Sequence, residues 1–149
     1  MKKLLLIILA ALSLTGCRYQ LDPYESATND GARMNINGVK YLMYNDYSAY
    51  CNGTSFTLKG TIESSLPDME PYHINLDVED SEPLTTGKVY ILNSQSVKFE
   101  GGNARTFYPA GWIEFLEIGN RVSARFEVYA DGFDVKHGFL RVGKDNRRY

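Results

Sequence analysis

Past residue 34 the chain keeps to a period of two, and that property restricts it to β-structure. Tyr72, Ile74, Leu76 and Val78 alternate with His73, Asn75, Asp77 and Glu79. Phe56, Leu58 and Ile62 alternate with Thr57, Lys59, Thr61 and Glu63, with Gly60 as the one gap in the apolar row. Val89 and Ile91, then Val97 and Phe99, continue the pattern. Successive side chains of a strand point to opposite faces, so alternation of this kind sets one face against a core and the other in water. No window of about eleven residues in this region shows apolar positions at helical spacing. The expectation is an all-β domain with strands near 35–44, 56–64, 72–78, 89–92, 97–100, 105–108, 111–118, 121–130 and 133–142. Seven to nine short antiparallel strands imply a single β-sandwich or a lipocalin-like barrel, and the pattern leaves both open.

The last third reads as a three-stranded meander. Gly119-Asn120 suits a type II′ hairpin turn and Asp131-Gly132 a type I′ turn. Two-residue loops would pair Ile118 with Arg121 and, counting outward, Glu114 with Arg125. At the second turn Ala130 would meet Phe133, with Glu127 opposite Lys136 and Phe126 opposite His137. One face then holds Ile113, Phe115, Val122, Ala124, Phe126, Val128, Val135 and Phe139. The other places Glu114 by Arg125 and Glu127 by Lys136, opposite charges in each case. Further turns are expected at Gly101-Gly102-Asn103 and Pro109-Ala110-Gly111.

The N-terminus carries a different signal. Lys2 and Lys3 precede an unbroken apolar run, Leu4 to Leu12, and Ser13, Thr15 and Gly16 lead into Cys17. Nine residues at about 1.5 Å each cover less than half of a roughly 30 Å hydrocarbon core, so the segment reads as a secretory signal and not as a membrane span. Leu14-Thr15-Gly16-Cys17 resembles the bacterial lipobox. That resemblance implies a signal peptide over 1–16, cleavage before Cys17 and diacylglycerol on its thiol, a palmitate-type lipid anchor. Two or more acyl chains hold a protein on a bilayer stably where one does not. Residues 17–33 then read as the lipidated cysteine and a polar tether, 34–143 as the β-domain, and 144–149 as a basic tail with Lys144, Arg147 and Arg148.

Charge narrows the partners. The chain carries 16 basic and 18 acidic residues, and losing Lys2 and Lys3 with the signal moves the net charge from −2 to −4. A mild acidic excess has no electrostatic footprint for nucleic acid. Once Cys17 is acylated, Cys51 stands alone and no internal disulfide forms; as a small hydrophobe it is expected to be buried. Asn52-Gly53-Thr54 has the form of a glycosylation acceptor, a chance match in a bacterial lipoprotein.

The inventory for catalysis is thin. His73 falls on the polar face of its strand and His137 on the apolar face, opposite Phe126, where a packed histidine is the simpler reading. The acidic run Asp77-Val78-Glu79-Asp80-Ser81-Glu82 lacks the glycine-punctuated spacing of a calcium loop and reads as a solvated strand end. No metal ligands stand at diagnostic spacing, no cofactor motif occurs, and no catalytic residue is assigned. Aromatics are plentiful, with eleven Tyr, seven Phe and one Trp. Tyr41, Tyr44, Tyr47 and Tyr50 recur every three residues, running out of a strand into an expected loop. Tyr108 and Trp112 flank another turn. Tyr44, Tyr47, Tyr50, Tyr108 and Trp112 are the candidate ligand contacts, for a glycan or a protein partner.

Asn37-Gly38-Val39 opening the first strand, Gly87-Lys88-Val89-Tyr90 starting a middle one, and Arg125-Phe126-Glu127-Val128 with His137-Gly138-Phe139-Leu140-Arg141-Val142 at the end carry a wider likeness. In these the layout resembles uncharacterised small lipoproteins of the Bacteroidota type. The resemblance implies an all-β domain in the cell envelope, anchored at the outer membrane, and brings no catalytic or binding residue with it. Members of that group often reach the cell surface through an acidic stretch after the cysteine. Arg18-Tyr19-Gln20-Leu21-Asp22 has a single acid, so periplasmic and surface-facing orientations both stay open. The functional expectation is a non-catalytic, membrane-anchored binding or accessory domain. The alternative is a lipocalin-like carrier of a small apolar ligand, and a hydrolase built on scattered carboxylates or His137 comes last.

Overall fold

A computed structural model describes residues 30–44, 47–102 and 105–143. The expected signal peptide and Cys17, most of the expected tether and the basic tail lie outside them. The described chain is all β: β1 (Gly31–Ile36), β2 (Val39–Met43), β3 (Tyr47–Cys51), β4 (Ser55–Ser64), β5 (Tyr72–Glu79), β6 (Val89–Leu92), β7 (Val97–Gly101), β8 (Thr106–Phe107), β9 (Ala110–Ile118), β10 (Arg121–Ala130) and β11 (Phe133–Gly143). All ladders are antiparallel, in the order β6-β9-β10-β11-β1-β2-β4-β5-β7-β8, with β3 beside β4.

The connection from β6 to β7 dictates the shape. These strands stand eight ladder steps apart, about 38 Å in a flat sheet at roughly 4.8 Å per step. Only residues 93–96 join them, a link that reaches about 18 Å at full extension. The sheet must therefore curl until its two ends approach, and it forms a half-barrel. This is the single antiparallel all-β architecture that the sequence leads one to expect, curled part of the way to a barrel.

The interior is filled by side chains. Phe56, Phe99, Phe115, Phe126 and Phe133 are each 1 % exposed or less, and every such ring contributes about 1.5–3 kcal/mol by leaving water. Phe56 on β4 meets Phe115 on β9 edge to face at 5.5 Å, joining the two halves across the core. Phe133 stacks on Phe107 at 4.3 Å and also contacts Tyr72 at 5.6 Å. Cys51 is buried on β3.

The sheet has eleven strands where seven to nine are expected, for two local reasons. Residues 35–44 are not one strand. Asn37 (φ 49) and Gly38 (φ 83) form a type I′ hairpin between β1 and β2, with Ile36 opposite Val39. Residues 47–51 form β3, where a loop is expected, with Tyr47, Ala49 and Cys51 buried in alternation.

The meander forms as β9-β10-β11, with corrections at both turns. Ile118 pairs with Val122 and not Arg121, and neither Gly119 nor Asn120 takes a positive φ, so the turn is not type II′. Leu116 then bulges out of β9, which restores Glu114 to its place opposite Arg125. At the second turn Ala130 does meet Phe133, but only Gly132 (φ 68) is left-handed, so this is not type I′. Pro109-Ala110-Gly111 is not a turn, since Ala110 and Gly111 already belong to β9. Gly101 and Gly102 do enter a turn between β7 and β8, closed by Gly101 N–H donating to the Arg105 carbonyl at 2.8 Å.

The largest correction falls on β11. Val128 pairs with Val135, yet Phe126 pairs with Gly138, so β11 carries one extra residue. His137 takes up the bulge in a left-handed conformation (φ 52) and is exposed. It is not on the apolar face, and the Glu127–Lys136 pair does not form in the ladder. Gly138 turns inward under the Phe126 ring, where a Cβ would stand 2.8 Å from the ring carbons. Phe139 rotates to the outer face, and Leu140 and Val142 replace it in the core.

Candidate functional site

The outward residues of β3, β4, β5 and β7 form an open concavity. Register sets Ser48, Lys59, Asn75 and Lys98 in one cross-strand row, and Thr61, His73 and Glu100 in the next. Together with Tyr47, Gly60 and Ile74 they line a groove of about 490 Å³ open to solvent. The alternation that buries Phe56, Leu58, Ile74, Leu76, Val97 and Phe99 is what turns these polar side chains outward.

Within the groove, Thr61 Oγ1 and His73 Nδ1 share a hydrogen bond of 3.0 Å. Lys98 and Glu100 form an ion pair, which raises the Lys98 ammonium above its ordinary pKa. Lys59 has no ion-pair partner among the described residues. Asn75 Oδ1 is buried between the two lysine strands without a hydrogen-bond partner among the described residues. A buried carbonyl left unpaired costs free energy until a donor reaches it.

The five aromatic candidates do not converge. Tyr50 lies outward on β3, two residues beyond Ser48 and opposite Thr57. Tyr108, 55 % exposed, follows β8 and lies close enough to Lys98 to help raise its pKa. These two flank the groove. Tyr47 is 5 % exposed, so its ring is part of the core. Trp112 sits on the outer face of the other half, opposite Ile91 and Glu127. Tyr44 is exposed at the end of β2. Lys59, His73, Asn75 and Lys98 are missing from the sequence-based set because nothing local links them. Their shared outward parity is the one signal that marks them.

The acidic run is occupied locally. Asp80 Oδ2 accepts from Lys88 at 2.6 Å and Oδ1 from the Glu82 N–H at 3.3 Å, and the lysine holds the carboxyl below its ordinary pKa. Among the described residues no three His, Cys, Asp or Glu side chains converge as metal ligands. Nor is any described helix long and apolar enough to cross a membrane.

The arrangement defines an antiparallel half-barrel with a polar, aromatic-flanked groove on its outer face. Comparison with models of protein families, with curated proteins and with solved structures finds no match to this chain.

Proposed function

We propose that this chain is a lipid-anchored envelope protein whose β-domain binds an oligosaccharide in the outer groove without catalysing a reaction on it. The observation that carries the reading is the groove itself. It offers hydroxyls from Ser48 and Thr61 and ammonium donors from Lys59 and Lys98, with Tyr50 and Tyr108 at its margins. A ring with hydroxyls on its edge and C–H groups on its faces matches donors, acceptors and aromatic faces together. His73 touches a hydroxyl at Thr61 but has no hydrogen bond to Glu100, whose carboxylate is taken by Lys98. That leaves the nucleophile–base–orienter chain of a hydrolase incomplete. Aromatic filling of the interior speaks against the carrier of an apolar ligand, which needs an empty core.

The test is a glycan array probed with the full chain, followed by titration of any hit. Saturable binding weakened at least ten-fold by Lys59→Ala and by Tyr108→Ala supports the reading. No binding to any glycan, or binding indifferent to both changes, refutes it. The anchor is tested separately. Cys17→Ala should leave the precursor uncleaved before residue 17 and unlabelled by radioactive fatty acid, and a variant that still matures there would end the lipoprotein reading.

A further inference from the structure

We infer that the free edge of β6 is a dimerisation edge, at which a second copy of this chain adds its own β6 in antiparallel register. Among the described residues three strands carry a single ladder: β3, β6 and β8. Every second residue of such a strand directs its N–H and C=O away from its one neighbour, and these groups are a template for another strand. Proteins blunt such edges with shortness, proline, bulges or charge. β8 is two residues long with Pro109 close behind it, and β3 turns Ser48 and Tyr50 outward beside the groove.

β6 has none of these guards. Val89-Tyr90-Ile91-Leu92 holds no proline, glycine or charge and pairs with β9 without a bulge. Its outward side chains are aliphatic. Ile91, at 79 % exposed, is the most exposed large apolar side chain among the described residues, and Val89 beside it is 51 % exposed. Lys88, the charge nearest the strand, is already engaged by Asp80 at 2.6 Å and lies over the Tyr90 ring at 4.9 Å.

Charge and parity together select a second copy and its register. Side chains that face each other across a two-fold axis must lie on the same face, which puts the axis through Tyr90 or through Ile91. With Tyr90 on the axis, Lys88 would face Leu92, which is buried in the core. With Ile91 on the axis, Lys88 faces Ser94, Tyr90 faces Leu92, and Ile91 meets Ile91 of the second copy. No charge then faces a like charge along the ladder. Trp112 stands opposite Ile91 on β9, so the outward row becomes Trp112, Ile91, Ile91 and Trp112, continuous across the axis. Pairing consumes the β6 edge of both copies, so the assembly stops at two. A ladder of four residues is small beside the roughly 800 Å² per partner of a standard interface, and the dimer forms reversibly with concentration. This edge is separate from the groove.

The test uses the full-length protein. In sedimentation velocity the wild type should shift from monomer to dimer as concentration rises. Ile91→Lys sets two like charges face to face and should associate about ten-fold more weakly or worse. Ile91 is exposed, so that variant should keep the wild-type circular dichroism. Under mild oxidation Ile91→Cys should cross-link to its own copy. Val89→Cys should not, because at about 3.3 Å per residue the two copies of residue 89 stand roughly 13 Å apart, beyond the roughly 7 Å that a disulfide spans. The wild type treated alike accounts for Cys17 and Cys51. A wild type that is monomeric at every concentration, association indifferent to Ile91→Lys, or equal cross-linking of the two cysteine variants would overturn the proposal. So would cross-linking of Ile91→Cys to a different polypeptide alone, which gives the edge to a foreign strand.

Discussion

Gly111→Ala isolates one close approach between strands. Gly111 lies in β9 between Leu92 of β6 and Val128 of β10. Its φ is not positive, so alanine meets no backbone strain there. A Cβ at this position would stand 2.0 Å from the Glu127 carbonyl oxygen, 2.8 Å from Val128 Cα and 2.9 Å from the Glu127 carbonyl carbon. All three atoms are backbone, and no rotamer change relieves them. Carbon and oxygen pack at about 3.3 Å or more, so β9 and β10 must part locally by about 1 Å. Overpacking of this kind costs about 1–3 kcal/mol, and each weakened ladder hydrogen bond adds about 1 kcal/mol. A destabilisation of about 3 kcal/mol is expected, a large share of the roughly 5–15 kcal/mol typical of a domain. Urea unfolding followed through Trp112, the single tryptophan, reads it out. With a slope of about 1–3 kcal/mol per molar, the midpoint should fall by about 1–3 M. Gly119→Ala is the control, because nothing lies within 4 Å of its added methyl and its φ is not positive. It should stay within about 0.5 kcal/mol of the wild type. If Gly111→Ala unfolds with Gly119→Ala, the steric reasoning is wrong.

Gly38→Val and Gly132→Val should each destabilise by about 1 kcal/mol or more in the same assay, through φ alone (83 and 68), since no atom lies within 4 Å of either added carbon. Glu114 Oε2 accepts from Arg125 at 2.8 and 2.9 Å with a carboxylate side chain only 16 % exposed, so a double-mutant cycle should give a coupling of about 1 kcal/mol that falls in high salt. Asp80 should titrate below an ordinary aspartate by NMR and return toward that value in Lys88→Ala. Its folded pKa is depressed, so its contribution to stability is complete above the unfolded value of about 3.9 and is lost as pH falls through the lower folded one. An Asp80 titration unchanged by Lys88→Ala would dissolve that pair.

Much of the sheet is legible without coordinates. The bounds of β6 and β10 coincide with the residues expected, and the Glu114–Arg125 pair forms as the charge pattern implies. That pair survives only because two departures cancel, the longer turn after Ile118 and the bulge at Leu116. Asn37-Gly38 carries a hairpin signal in plain residues, a dipeptide suited to φ > 0 at both positions, but the uniform alternation around it reads as one strand. β3 escapes because tyrosines three residues apart distract from a weak period of two with Ala49 and Cys51 as its inward members.

The groove and the β11 bulge are not legible in this way, and the reason is non-local. The groove needs β5 beside β7, which happens because β6 leaves for the opposite end of the sheet. The bulge at His137 is hidden because apolar residues run on through that stretch as Val135, Phe139, Leu140 and Val142 without marking where the face changes.

The sequence by itself determines an antiparallel β-domain with one face buried. Side-chain direction reverses at every residue of a strand, so the choice of inward residues is a local property that one sequence displays. Tertiary structure alone decides which strands become neighbours, where an extra residue bulges and how far the sheet curls. Those choices follow from burying all the inward rows together, with Phe56 meeting Phe115 and Gly138 giving way to Phe126, contacts between residues that no local pattern relates.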